Sequence, residues 1–163
     1  MAGLAVSVFV LDQLTKLAVL KWLPTEYVSE KSVLPGFFRL VHWRNTGAAW
    51  SMFHDNNLTL AIISAIALVV LIVARQRFHS HLTLGWISLG LIFGGIAGNL
   101  LDRILHKHVI DFLYFHLITR SGNELGFPAF NVADSAICIG VGLLFILSWR
   151  NETGKTAANE SAA

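Results

Sequence analysis

The feature that most constrains this chain is a set of four apolar segments, each close to the length of a membrane-spanning helix. A spanning helix needs about 20 mostly apolar residues, because the hydrocarbon core of a bilayer is about 30 Å thick and each helical residue rises about 1.5 Å. Only 13% of the 163 residues are charged, whereas a soluble domain carries about 25%. We therefore predict an all-α membrane protein with four transmembrane helices, at about residues 1–23, 58–74, 82–101 and 132–149.

Between the predicted spans lie two long connections, residues 24–57 and 102–131, and one short basic connection. We interpret residues 1–150 as a single four-span domain. The remaining residues, 151–163, are polar and rich in Ala and Asn, a composition that predicts a disordered tail.

The distribution of positive charge predicts which side of the membrane each connection faces, since Lys and Arg are enriched in cytoplasmic loops. These residues are denser in the short connection and the tail than in the two long connections. We therefore expect both termini in the cytoplasm and both long connections outside it. The residues that carry this prediction are Arg75, Arg77, Arg150 and Lys155.

Each long connection contains a strand-like stretch. Residues 33–52 and 109–115 are rich in aromatic and β-branched side chains, a composition typical of strands. The aromatic rings also suit the membrane interface, where amphipathic rings are enriched. We expect the two stretches to pair into a small extracytoplasmic β-sheet, a cradle on the outer membrane surface.

Two acidic residues stand out, because ionisable groups in or beside membrane spans are costly and need a reason. Asp111 lies in an apolar run, where a carboxylate loses solvation unless a partner or a proton relieves it. Asp134 follows Asn131 by three residues at the start of the last span, a spacing that also fits a capping box without catalytic role. Two facing carboxylates share one proton, so one can activate water while the other donates. The pair predicts an aspartyl peptidase, with helix capping as the open alternative for Asp134.

Other polar residues in the spans have simpler explanations. Asp12 and Lys16 are four residues apart on one helix face, and we interpret them as neutralising each other. Asn99, Asp102 and Arg103 form a polar cluster at the outer end of the third span, which either orients other groups or anchors the helix. Glycines at four-residue intervals in the same span predict close helix packing rather than nucleotide binding. These are Gly90, Gly94 and Gly98.

Several functional classes are disfavoured by composition and spacing. The net charge of +2 is small and its basic residues are scattered, so nucleic acid is not an expected partner. No metal or cofactor is expected, since the pairs His79–His81 and His106–His108 are not part of a metalloprotease motif. The single cysteine, Cys138, excludes a disulfide within the chain, and we interpret it as a small buried residue.

Five blocks of sequence occur in order along nearly the whole chain. They are DQLTK at 12–16, RNTGAAWS at 44–51, GGIAGNLLDR at 94–103, VIDF at 109–112 and FPAFNVADS at 127–135. Each block alone is a weak signal, but together they resemble the bacterial lipoprotein signal peptidases, also called signal peptidase II.

The resemblance implies that Asp111 and Asp134 form the catalytic dyad of an aspartyl endopeptidase. It implies a prolipoprotein substrate that bears a diacylglyceryl group on its lipobox cysteine and is cleaved just before that cysteine. It further implies a monomer in the bacterial inner membrane, in contact with membrane lipids, without a cofactor, and inhibited by globomycin bound at the dyad. The residues expected to support or line the site are Asp12, Lys16, Asn45, Gly47, Asn99, Arg103 and Asn131.

The resemblance also directs attention to residues 45–55, where Gly47 and polar groups lie beside aromatic residues. We expect this stretch to form a movable lid over the dyad, since closing loops commonly exclude water from a reaction.

Two other functions remain open from the residues alone. A small transporter or proton-conducting protein is one, because intramembrane Asp, Lys, Asn and Arg also mark ion pathways. A conduction path needs polar groups at several depths, however, and the second predicted span carries no charge. A non-enzymatic membrane scaffold, in which the acids only cap helices, is the other.

Overall fold

The computed structural model describes residues 1–47, 56–75 and 83–160, with backbone only at residues 74 and 151–160. These residues form four helices and one small antiparallel sheet. In chain order the elements are α1 (Ala2–Trp22), β1 (Glu30–Leu34), β2 (Phe38–Asn45), α2 (Asn57–Ala74), α3 (Thr83–Leu105), β3 (Val109–Ile118), β4 (Glu124–Gly126) and α4 (Val132–Glu160).

Three helices in the described part of the chain are long and apolar enough to cross a membrane. They are Ala2–Trp22, Thr83–Leu105 and Val132–Arg150. The fourth apolar helix, Asn57–Val73, is shorter. Large apolar side chains on α2, such as Ile66, Val69 and Val73, are exposed, as expected for a helix in contact with lipid.

Helix α3 lies at the centre of the helices and packs against α1, α2 and α4. Its glycines allow close approach: a Cβ atom at Gly94 would lie 2.5 Å from a carbonyl oxygen of α1, and one at Gly95 would lie 2.5 Å from a carbonyl oxygen of α4. At Gly98 an added Cβ would lie 2.5 Å from Asp12 Oδ2. The prediction of close helix packing at the glycines is confirmed, and α3 thereby brings polar residues of α1 and α4 together.

The sheet has the strand order β1-β2-β3-β4. Strands β2 and β3 are antiparallel, with Trp43 opposite Asp111 and Asn45 opposite Val109, so the predicted pairing of the two long connections is confirmed. Strand β3 packs against α1 through a buried apolar cluster. This cluster contains Val19, Leu23, Ile110 and Phe112.

The structure corrects two details of the sequence interpretation. Helix α3 continues to Leu105, so Asp102 and Arg103 are helical rather than the first residues of a loop 102–131. Helix α4 is drawn to Glu160, and the disorder expected for residues 151–163 stays a prediction. Cys138 is exposed rather than buried, since it lies on the apolar outer surface of α4.

The rest of the tail, residues 161–163, lies outside the described residues, as do most of the predicted lid (48–55) and the His79–His81 pair.

Candidate active site

Asp111 lies in β3, where the strand passes the ends of the helices, and its side chain is only 3% exposed. Both carboxyl oxygens accept hydrogen bonds from side-chain amides. Asn45 Nδ2, at the end of β2, donates to Asp111 Oδ2 at 2.9 Å, and Asn131 Nδ2 donates to Oδ1 at 2.8 Å. The register of β2 against β3 places the end of β2 beside Asp111, which explains how a residue far away in sequence reaches it.

Asp134 lies in the first turn of α4, and the predicted capping box is present. The backbone N–H of Asp134 donates to Asn131 Oδ1 at 2.9 Å, and the N–H of Asn131 donates to Asp134 Oδ2 at 3.1 Å. The other carboxyl oxygen, Oδ1, accepts from Asn99 Nδ2 at 2.7 Å. Asp134 is therefore a helix cap that also belongs to the polar cluster around Asp111.

Asn131 connects the two aspartates. It is fully buried, and its Nδ2 lies 2.8 Å from Asp111 Oδ1 and 3.2 Å from Asn99 Oδ1. Since Asn99 in turn donates to Asp134, a continuous set of amide and carboxyl groups runs from one aspartate to the other. The structure thus brings together side chains from β3, α3 and the start of α4.

The electrostatic environment of Asp111 favours its neutral form. Burial is the larger cause and the negative charge of Asp134 the second, and together they raise the pKa of Asp111 to about 8. Hydrogen bonds from Asn45 and Asn131 and the positive charge of Lys16 lower the pKa by less. Both causes favour the protonated form of Asp111 at neutral pH.

Lys16 occupies the centre of the buried polar cluster beneath the two aspartates. Its Nζ lies 2.8 Å from Asp12 Oδ2 and 2.8 Å from Asp102 Oδ2, and it donates to Asn99 Oδ1 at 3.0 Å. The predicted Asp12–Lys16 pair is confirmed, but mutual neutralisation does not account for the second carboxylate. Side chains of Asp12, Lys16 and Asp102 are at most 2% exposed.

Gln13 is a member of this cluster that the sequence interpretation missed. Its Nε2 lies 3.1 Å from Asp12 Oδ2 and 3.0 Å from Asp102 Oδ1, so it joins the same two carboxylates as Lys16. Its place in the DQLTK block, between the aspartate and the lysine, was the only available signal. Asp102 belongs to the polar cluster expected at the end of the third span, but spacing along the chain does not predict its contact with Lys16.

Arg103 and Gly47 meet at the other side of the site. Arg103 Nη2 donates to the Gly47 carbonyl oxygen at 3.2 Å, and the Gly47 N–H donates to Asn45 Oδ1 at 3.0 Å. These two bonds hold the turn that follows β2, and the turn orients the Asn45 amide toward Asp111. The two aspartates of the expected dyad and the seven residues expected to support them therefore lie in or directly around one site.

No group of three or more His, Cys, Asp or Glu side chains within the described ranges is arranged to hold a metal ion. Among the described residues around Asn131, the groups that can give and take protons are the two carboxyl groups. The amides around them are neutral and do not titrate.

Comparison with known proteins identifies the family. A family model described as signal peptidase (SPase) II matches residues 4–150. The lipoprotein signal peptidase of Anoxybacillus flavithermus is 34% identical over 98% of this chain and 90% of its own length. That of Syntrophotalea carbinolica is 36% identical over 91% of this chain and 89% of its own length.

The chain belongs to the signal peptidase II family.

A solved structure agrees with this assignment. The structure of a bacterial membrane enzyme determined by the in meso method at 2.3 Å resolution superposes with a TM-score of 0.81. Its sequence is 30% identical to this one, and the superposition covers 93% of this chain and 88% of the solved chain. As a member of the signal peptidase II family, the chain is a membrane hydrolase, and the transporter and scaffold alternatives are set aside.

Proposed function

We propose that this protein cleaves the signal peptide from diacylglyceryl-modified prolipoproteins just before the lipidated cysteine, with Asp111 and Asp134 activating water. The observation that carries the proposal is the link through Asn131 and Asn99, which places both aspartates in one buried polar cluster. Family membership supports the substrate class.

The different environments of the two acids assign their roles. Asp111 is neutral at pH 7, because burial and the charge of Asp134 raise its pKa. Asp134 lies in the first turn of α4, where the helix dipole and backbone N–H groups favour a negative charge. Asp134 is therefore the base that accepts a proton from water, and Asp111 is the acid that protonates the carbonyl oxygen.

In the reaction, the oxygen of the water molecule bonds to the scissile carbonyl carbon while its proton passes to Asp134. Asp111 gives its proton to the carbonyl oxygen. The product of these two steps is a tetrahedral intermediate with two hydroxyl groups. The C–N bond then breaks, Asp134 donates its proton to the leaving nitrogen, and Asp111 recovers a proton from a hydroxyl of the intermediate. The products are a signal peptide with a carboxyl terminus and a lipoprotein with a free amino group on its cysteine.

The amide side chains around the dyad do not exchange protons themselves. Asn45, Asn99 and Asn131 donate hydrogen bonds that orient the two carboxyl groups without competing for the shared proton. Preorganised donors of this kind avoid the cost of rearranging solvent during the reaction.

The decisive assay uses the purified protein in detergent and a peptide that carries a lipobox cysteine with a diacylglyceryl group. We expect one cleavage, just before the cysteine, identified by the mass of the two products, and inhibition by globomycin. The same peptide without the lipid is the matched control and should be cleaved far more slowly. Equal cleavage of both peptides, or cleavage at another bond, would contradict the proposed substrate.

The dyad lies where the sheet meets the helix ends, and we propose that this end faces the outside of the bacterial inner membrane. In this arrangement all four helices span and both termini are cytoplasmic, as the density of Arg and Lys predicts. A substrate held in the same membrane by its lipid and signal helix reaches the site at a high effective concentration.

Reporter fusions at Asn56, Ser80 and Asn123 test this topology. They should read outside, inside and outside, respectively. An inside reading at Asn123, which lies just before β4, would place the sheet and the dyad on the wrong side for this substrate.

Cleavage should depend on pH through the acid role of Asp111. Asp111 acts only when protonated, and its raised pKa of about 8 means that it stays protonated at neutral pH and ionises as pH rises above 8. We therefore expect kcat/KM to fall by about tenfold per pH unit above this value, since kcat/KM reports groups of the free enzyme. Infrared or NMR titration of the carboxyl groups checks the assignment, and an Asp111 already ionised at pH 6 would refute it.

A further inference from the structure

The residue that precedes each aspartate of the dyad donates its backbone N–H to another buried carboxylate. Ile110 N–H donates to Asp102 Oδ2 at 3.2 Å. Ala133 N–H donates to Asp12 Oδ1 at 2.9 Å. One bond thus connects β3 to α3, and the other connects the start of α4 to α1, at equivalent positions relative to the dyad.

Lys16 joins these two carboxylates. Its Nζ lies 2.8 Å from Asp12 and 2.8 Å from Asp102, and Gln13 Nε2 makes a second connection between them. We call Asp12, Lys16 and Asp102 the Lys16 triad. A buried lysine needs only one carboxylate to balance its charge, so the second carboxylate calls for another explanation.

We propose that the Lys16 triad is a positioning device that sets the separation and orientation of Asp111 and Asp134 by holding the backbone immediately before each of them. The inference rests on the proposed dyad. The two aspartates lie on different elements, one on strand β3 and the other on helix α4. No ladder of backbone hydrogen bonds within one sheet therefore fixes their separation. Each element is bonded through its backbone N–H to one carboxylate, Asp102 on α3 or Asp12 on α1, and both carboxylates bond to the Lys16 ammonium group. Such charge-assisted bonds are stronger than neutral ones.

The first test uses the fact that one oxygen of Asp102 accepts two hydrogen bonds. Oδ2 accepts both from Lys16 and from Ile110 N–H. In Asp102→Asn the amide oxygen can keep both contacts and only the Gln13 contact to Oδ1 is lost, whereas Asp102→Ala loses all three. We expect Asp102→Ala to lower kcat about 100-fold with KM within about twofold of wild type, a loss typical of a displacement of about 1 Å at a catalytic group. Asp102→Asn should recover at least about tenfold of that loss.

The second test compares isosteric variants at the two carboxylates. Asp12 uses Oδ1 for Ala133 N–H and Oδ2 for Lys16, so an asparagine there must present its NH₂ group to one of these two donors. At position 102 the NH₂ group would face only the neutral amide of Gln13, and the contacts with Lys16 and Ile110 would remain. Asp12→Asn should therefore lose more kcat than Asp102→Asn. Ser88→Ala, a buried polar change in α3 with a local contact to Leu84, is the control and should leave kcat unchanged.

Hydrogen exchange provides a readout that does not depend on activity. The Ile110 amide should exchange faster in Asp102→Ala, and the Ala133 amide faster in Asp12→Ala. Equal kcat for Asp102→Asn and Asp102→Ala would show that only charge matters and would overturn the positioning role. Wild-type kcat in Asp102→Ala would overturn it as well, while an inactive Asp111→Asn in the same assay would leave the dyad standing. If instead Asp111→Asn cleaves normally, the dyad fails, and the positioning role fails with it.

Discussion

Asp111→Asn and Asp134→Asn should each lower kcat by at least about 10³-fold, within the range that general acid–base catalysis contributes. Both substitutions keep the shape of the side chain but remove the group that carries or accepts the proton. At position 134 the amide oxygen can still accept the Asn131 N–H, so the cap and the fold should survive. The measurement is cleavage of the lipidated peptide by equal amounts of folded, purified protein.

Cys138→Ala is the matched control for this experiment. Cys138 lies on the same helix as Asp134, but its side chain is exposed on the side of the helix that faces away from the protein, so the variant should retain wild-type cleavage. Normal cleavage by Asp134→Asn would show that Asp134 is only a helix cap. Loss of activity in one variant only would mean that a single carboxyl group performs the reaction.

Lys16→Met should destabilise the fold by about 3–5 kcal/mol, the cost typical of removing one partner from a buried ion pair. The methionine fills a similar volume, but it leaves the carboxylates of Asp12 and Asp102 buried without a cation within 4 Å in the described structure. Unfolding of the purified protein in a mixed-detergent titration measures the change. Lys21→Met is the control, because Lys21 lies on the same helix and is exposed; its loss should cost less than about 1 kcal/mol.

A triple variant separates charge from packing in this cluster. Asp12→Asn, Lys16→Met and Asp102→Asn together remove all three charges, and replacing a whole buried ion cluster by neutral groups is often tolerated. We expect the triple variant to be more stable than Lys16→Met alone. If it is no more stable, the loss in Lys16→Met comes from packing rather than from unpaired carboxylates.

The sheet illustrates how far local patterns reach. Residues of β2 and β3 were predicted as strands because aromatic and β-branched side chains dominate them. Strand β4 and most of β1 lie outside the predicted stretches, since every residue of both strands is exposed and β4 has only three residues. An exposed edge strand forms through backbone pairing with its neighbour, which side-chain alternation does not encode.

The polar residues of α1 show the same difference between contacts within one element and contacts between elements. The Asp12–Lys16 pair follows from spacing within one helix, so its existence was predictable. The contacts of Lys16 with Asp102 and of Asp12 with Ala133 join different helices, and no local rule predicts them. For the same reason Gln13 went unnoticed, although it bonds to both carboxylates.

By itself, the sequence determined that the chain is a membrane protein of apolar helices with a small strand-forming region, because length and hydropathy alone decide which segments suit lipid. It also singled out Asp111 and Asp134, since an ionisable group among apolar neighbours needs a reason. Only the tertiary structure decided that these aspartates share one amide-lined site above a buried lysine. That outcome depends on the glycine-mediated approach of α3 to α1 and α4, which brings residues far apart in the chain within hydrogen-bonding distance.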